Sequence, residues 1–177
     1  MDINRQTLAR EIRNVSRLTG SFTLRSGKVS DTYFDKYRFE SDPRLLRSIA
    51  ELMMDHIPQD AEVLCGMELG GIPIATVLSQ LSGLPAAFIR KFRKSYGTCQ
   101  YAEGANIIDK RIVLIEDVVS SGGAILDAAS MLEADRITAR TAICVIDRQS
   151  GGFEALSQAG VELRALFTMQ EIESAVT

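Results

Sequence analysis

Residues 112–124, Ile-Val-Leu-Ile-Glu-Asp-Val-Val-Ser-Ser-Gly-Gly-Ala, run from a continuous apolar stretch through two adjacent carboxylates into a hydroxyl- and glycine-rich turn. The β-branched run 112–115 suits a strand covered on both faces in a parallel sheet, and the carboxyl end of such a strand is where open α/β sheets bind ligands. Ser120, Ser121, Gly122 and Gly123 offer hydroxyls and backbone N–H groups with little side-chain bulk, so the chain can curl around a phosphate at a helix N-terminus. Glu116 and Asp117 would repel that phosphate. They suit sugar hydroxyls or a Mg²⁺ ion instead.

Two further stretches could do related chemistry. Gly66-Met67-Glu68-Leu69-Gly70-Gly71-Ile72-Pro73 is a second strand-to-helix junction, with Pro73 near the first helical position. Its exposed amides suit a diphosphate, although such a loop serves equally as a tight connection without a ligand. Arg90, Lys91, Arg93 and Lys94 place four cations in five residues of a chain whose net charge is −3, and a polar stretch follows to Asn106. This reads as a mobile lid over about 92–106 that stabilises a departing anion, or else as a solvated basic loop or an RNA-touching patch.

The elements that must position these residues alternate between strand and helix. Leu8, Ile12, Val15 and Leu18 fall at helical spacing with a stop at Gly20, and residues 22–39 read as extended around Ser26-Gly27-Lys28. A helix capped by Ser41 follows, with Pro43 in its first turn and Leu45, Leu46, Ile49, Leu52 and Met53 inward. Strands are expected at 62–66, 86–90, 111–118, 141–147 and 162–167, and helices at 72–81, 123–134 and 152–159, with a short terminal helix. Parallel strands with crossover helices are the economical arrangement, giving one α/β domain over 1–177.

Composition excludes several classes. The 177 residues, 46% hydrophobic, suffice for one buried core. No run approaches the roughly 18 apolar residues of a membrane span, and the N-terminus lacks a signal-peptide pattern, so the expectation is a soluble cytoplasmic protein. Cys65, Cys99 and Cys144 are odd in number and widely spaced, which suggests neither a disulfide framework nor a zinc site, and Cys65 and Cys144 read as core thiols. The acidic balance argues against a nucleic-acid surface. His56, the only histidine, reads as structural.

The strand, acidic pair and Ser/Gly turn at 112–123 resemble the 5-phosphoribosyl-1-pyrophosphate (PRPP) signature of the type I phosphoribosyltransferases. Together with Phe22-Thr23-Leu24-Arg25-Ser26-Gly27, Tyr33-Phe34-Asp35, the Gly66–Pro73 loop, the basic stretch and Asp147-Arg148, the chain is similar in order to the orotate phosphoribosyltransferases. That resemblance implies an α/β fold with a mostly parallel central sheet flanked by helices, a small N-terminal hood over about 1–40 and a core over about 41–177. It also implies PRPP and orotate as substrates, Mg²⁺ as cofactor, pyrimidine biosynthesis as the setting, and a homodimer with shared active sites.

By the same resemblance, Glu116, Asp117 and Lys94 are the catalytic candidates. PRPP would contact Arg90, Lys91, Lys94, Gly70, Gly71 and the segment Glu116, Asp117, Val118, Val119, Ser120, Ser121, Gly122 and Gly123. Orotate would contact Arg148, Arg25, Phe34 and Ser120, with Mg²⁺ held mainly by PRPP near Asp117. Arg148 has a planar fork suited to a carboxylate, though arginines at such positions also form plain surface ion pairs. Tyr33 and Phe34 are both able to wall the base, with only one expected in contact. No residue reads as a covalent nucleophile. Many family members carry a lysine where this chain has Gly70 and a histidine where it has Tyr96. The alternatives are a phosphoribosyltransferase for another base and a PRPP-binding regulator without turnover.

Overall fold

The computed structural model describes residues 4–23, 27–94 and 101–175. Helix α1, Arg5–Ser16, starts at Asn4, whose side-chain oxygen accepts from the Thr7 amide at 2.8 Å, and it buries Leu8, Ala9 and Ile12. The apolar spacing would carry this helix to Leu18, but the chain becomes extended at Arg17. Strand β1, Arg17–Thr23, pairs antiparallel with β2, Val29–Phe34, and Leu18 lies opposite Tyr33. A partner strand 15 residues away by this register outweighs local helical spacing, and Gly20 ends up inside the ribbon. Along β2, Ser30, Thr32 and Phe34 are half-buried while Val29, Asp31 and Tyr33 face solvent.

The extended reading also ends early, because residues Tyr37–Ser41 curl into a short helix, α2, that buries Phe39 and Glu40. Helix α3, Pro43–Met53, is capped by Asp42 rather than Ser41: the Asp42 carboxylate accepts from the Arg44 and Leu45 amides at 2.9 and 3.1 Å. A carboxylate gains from the helix dipole as well as the hydrogen bonds, whereas the Ser41 hydroxyl is turned back to the Arg38 carbonyl.

From here the chain alternates: β3 Val63–Met67, α4 Gly71–Ser82, β4 Ala86–Ile89, β5 Ala102–Gly104, β6 Ile112–Val119, α5 Gly123–Ala134, β7 Thr141–Asp147, α6 Gly152–Gln158, β8 Glu162–Thr168 and α7 Met169–Ser174. The six-stranded sheet has the order β5-β4-β3-β6-β7-β8, parallel except for β5, which runs antiparallel on the β4 edge. Apolar residues alternate between two cores. Val113 and Ile115 of β6 meet Leu8, Ile12, Ile49 and Leu78 on one face, while Ile112 and Leu114 meet Ile125 and Leu132 on the other. Cys65 and Cys144 are both fully buried. Among the described residues no helix is long and apolar enough to cross a membrane.

The order reverses between β3 and β6. The chain leaves β3 for β4 on one side and returns to β6 on the other, so the crevice outside the carboxyl ends of β3 and β6 is the ligand position this topology favours.

Candidate active site

Both glycine-rich junctions open onto that crevice, since one follows β3 and the other follows β6. They pack closely. A Cβ on Gly71 would lie 2.0 Å from the Ile115 carbonyl oxygen, and one on Gly70 would lie 1.6 Å from Asp117 Oδ2 and 2.9 Å from Glu40 Oε1. Only a chain without side chains here can lie across the end of β6. Helix α4 begins at Gly71, so Pro73 is its third residue, where a missing N–H still leaves no intrahelical bond unmade. After β6, Gly122 adopts φ 78°, and a Cβ on Gly152 would come within 2.4 Å of the Ser120 carbonyl oxygen. The turn at 120–122 is thereby packed against the start of α6, with Ser120 and Ser121 exposed at the N-terminus of the twelve-residue α5.

The carboxyl end of β6 carries the strongest electrostatics. Asp117 is 0% exposed, and Lys36 reaches it from the turn between β2 and α2, with Nζ 2.6 Å from Oδ2. The Asp117 amide donates to Glu116 Oε1 at 3.0 Å, and the Val118 amide donates to Asp117 Oδ1. Burial raises the Asp117 carboxyl, but hydrogen bonding from Glu116 and Lys36 outweighs it and holds the group below its usual range. Burial and the neighbouring Asp117 push Glu116 well above the usual carboxylate range and Glu40 up to about 9. Of the three carboxyl groups, Asp117 is therefore the one whose surroundings favour the ionised form, while those of Glu40 and Glu116 favour the neutral one. Lys36 stays charged because Asp117 and Glu116 offset the cost of its burial.

Lys36 and Glu40 are site residues that the sequence reading missed. The signal available was a lysine and a glutamate four apart on either side of Phe39, a spacing that equally describes a solvated helical turn.

Glu40 also gives a pH signature. Its folded pKa of about 9 stands above the ordinary 4.5, so between those values the folded chain holds a proton that the unfolded chain has lost. Stability from this group accordingly declines as pH rises across that window. Glu40→Gln keeps a neutral hydrogen-bonding group and cannot ionise. The urea midpoint of the variant should fall less between pH 6 and pH 9 than that of the unaltered protein, while parallel curves would show Glu40 already ionised.

The remaining candidates fall into two groups. Arg148, Phe34, Ser30, Thr32, Arg17 and Glu173 line a cleft of about 390 Å³ between the ribbon and the end of β7. The Arg148 amide donates to the Val119 carbonyl at 2.8 Å, which fixes this residue beside the acidic pair's strand. Phe34 is on the half-buried face of β2, and Tyr33, whose ring lies 5.5 Å from that of Phe22, lines the same cleft, so both aromatics border it. Arg25 lies outside the described residues.

At the basic stretch, the Lys91 amide donates to Glu68 Oε2 at 3.0 Å, joining it to the β3 loop, and Arg90 donates its amide to the Tyr101 carbonyl at 3.0 Å. Arg93 instead pairs with Asp135 at the end of α5, and Lys94 with Glu103 of β5 at 2.5 Å. Residues 102–104 of the expected lid form β5, Tyr101 is buried in the core, and 95–100, including Tyr96, lie outside the described residues.

The sequence profile of the phosphoribosyl transferase domain matches residues 38–160. An orotate phosphoribosyltransferase from Nocardioides sp. is 47% identical over 169 residues, 96% of this chain and 94% of the relative, and one from Methanopyrus kandleri is 38% identical over 173 residues, 97% and 93% of the two chains. The chain belongs to the orotate phosphoribosyltransferase family. In solved structures of the family, Mycobacterium tuberculosis orotate phosphoribosyltransferase bound to inorganic phosphate superposes with a TM-score of 0.84 at 27% identity, covering 96% of this chain and 98% of that one. The same enzyme bound to PRPP gives a TM-score of 0.80 at 25% identity over 96% and 98% of the two chains.

Proposed function

We propose that the protein transfers the phosphoribosyl group of PRPP to orotate, releasing pyrophosphate and giving orotidine 5′-monophosphate for pyrimidine nucleotide synthesis. The observation that carries this reading is the buried Asp117 paired with Lys36 at the switch point and packed against the glycine-rich β3 junction, on the strand whose Val119 carbonyl accepts from the amide of Arg148, a residue of the neighbouring cleft.

In this reading the amides and hydroxyls of Ser120, Ser121, Gly122 and Gly123 take the 5-phosphate at the start of α5. The diphosphate lies along Gly70 and Gly71 beside Arg90 and Lys91. Glu116 and Asp117 lie at the ribose hydroxyls as their polar partners. As the C1–O bond loosens, the ribose gains positive charge that the Asp117 carboxylate stabilises, and the orotate nitrogen attacks from the opposite face. Arg148 holds the orotate carboxylate and Phe34 walls its ring.

Among the described residues no three His, Cys, Asp or Glu side chains form a metal cage. A Mg²⁺ ion would accordingly be held mainly by PRPP itself, near Asp117, where it would neutralise part of the leaving group's charge. A homodimer in which each lid serves the neighbouring site, working in the cytoplasm where Cys65 and Cys144 stay reduced, completes the reading. A fully active monomer in sedimentation at assay concentration would remove the dimer from it.

The deciding assay offers PRPP, Mg²⁺ and a panel of bases and measures pyrophosphate release. Orotate should be preferred, and Arg148→Ala should weaken orotate binding by roughly 2–4 kcal/mol with little change for PRPP. Equal loss for both substrates would make Arg148 structural, and release with a different base would reassign the substrate.

A further inference from the structure

A carboxylate that is 0% exposed and still ionised needs a partner, because an unpaired buried charge costs several kcal/mol. The cation that meets Asp117 among the described ion pairs is Lys36. Its placement is built from several contacts. The Asp35 amide donates to the Ser16 carbonyl at 2.8 Å, the Asp35 carboxylate accepts from the Tyr37 amide at 3.2 Å, and Lys36 Nζ lies 5.3 Å from the centre of the Tyr37 ring. The lysine stem is thus directed from the ribbon's end toward β6. Its side chain as a whole remains 33% exposed.

The neighbouring loop cannot supply this cation. A side chain at position 70 would begin 1.6 Å from Asp117 Oδ2, in space the carboxylate already fills. Glycine at 70 and lysine at 36 are two halves of one arrangement at Asp117 Oδ2: the first leaves room for the carboxylate, and the second neutralises it.

We propose that Lys36 is a positioning residue for the transfer reaction, holding the Asp117 carboxylate aimed at the ribose in the place that Gly70 leaves open. The proposal rests on the transferase reading above and deepens it. Lys36 is two residues beyond Phe34, so the ribbon that walls the base cleft also fixes the ribose carboxylate. One element sets the distance between the two reacting partners.

Four variants test this: Lys36→Met, Lys36→Arg, Asp117→Asn and the double variant Lys36→Met with Asp117→Asn. Thermal melting, kcat and the KM of each substrate are measured for all four. Lys36→Met should lower kcat by about tenfold or more while leaving the KM for orotate within about threefold, and Lys36→Arg should recover most of the loss. In the Asp117→Asn background, removing Lys36 should cost little more, since coupled groups are non-additive. An equal kcat penalty in both backgrounds would overturn the proposal. Should Lys36→Met fail to fold because it strands a buried charge, the double variant, which has no such charge, should fold and match Asp117→Asn in kcat; a further large fall in its kcat would also overturn it. If the unaltered protein shows no transfer to any base, the transferase reading fails by itself. PRPP binding by calorimetry then decides Lys36: affinity about tenfold weaker in Lys36→Met and restored in Lys36→Arg supports it, and unchanged affinity rejects it.

Discussion

Asp117→Asn is expected to fold normally and to lower turnover by roughly 10²-fold or more, the scale seen when one preorganised electrostatic group is removed from a transition state. The substitution preserves shape, and the single asparagine oxygen keeps one of the two bonds, to Lys36 or to the Val118 amide. What it removes is the charge of the ionised member of the Glu40, Glu116 and Asp117 group. A negative charge beside the ribose matters most when the sugar turns cationic, so kcat should fall much more than PRPP affinity. A folded variant with near-normal kcat would mean that Asp117 is a structural partner of Lys36 and no more.

Gly71→Ala should instead damage stability. Its Cβ would lie 2.0 Å from the carbonyl oxygen of Ile115, which is backbone of a central strand and has no room to move. Overpacking against such a neighbour should cost about 3 kcal/mol or more, read as a lower urea midpoint. Gly70→Ala is the informative comparison, because its Cβ would meet the Asp117 and Glu40 side chains, which can swing aside. It should retain more stability than Gly71→Ala but lose turnover as Asp117 is displaced. If Gly71→Ala melts like the unaltered protein, the close contact between the β3 loop and β6 does not exist in solution.

The parts of this site legible in the sequence were those encoded within a few consecutive residues. The order of apolar run, acidic pair and Ser/Gly turn at 112–123 marks a buried strand feeding a helix, and β6 and α5 occupy that stretch. The Gly70–Gly71 junction was legible for the same reason. The parts that were not legible depend on distant partners. Leu18 continues a helical stripe but pairs with Tyr33 across the ribbon. Asp42 displaces Ser41 as cap because the serine hydroxyl finds the Arg38 carbonyl once α2 has formed. Lys36 and Glu40 belong to no local motif, since what joins them to the site is Asp117, more than 75 residues further along. The four lid cations look alike in sequence, yet Arg93 and Lys94 are drawn to Asp135 and Glu103 while Lys91 is tied to the β3 loop.

The proton sharing around Asp117 has a kinetic consequence. Three ionised carboxyl groups on the crevice floor would repel a polyanion as it approaches. With Asp117 matched by Lys36, and with burial pushing the Glu40 and Glu116 carboxyls toward their neutral forms, that repulsion is reduced. Encounter with a highly charged substrate is then governed more by exposed cations such as Lys91, which is tied to the β3 loop. Added salt, which screens exposed charge far more than buried pairs, acts on the rate of capture and leaves the chemistry on the floor largely untouched.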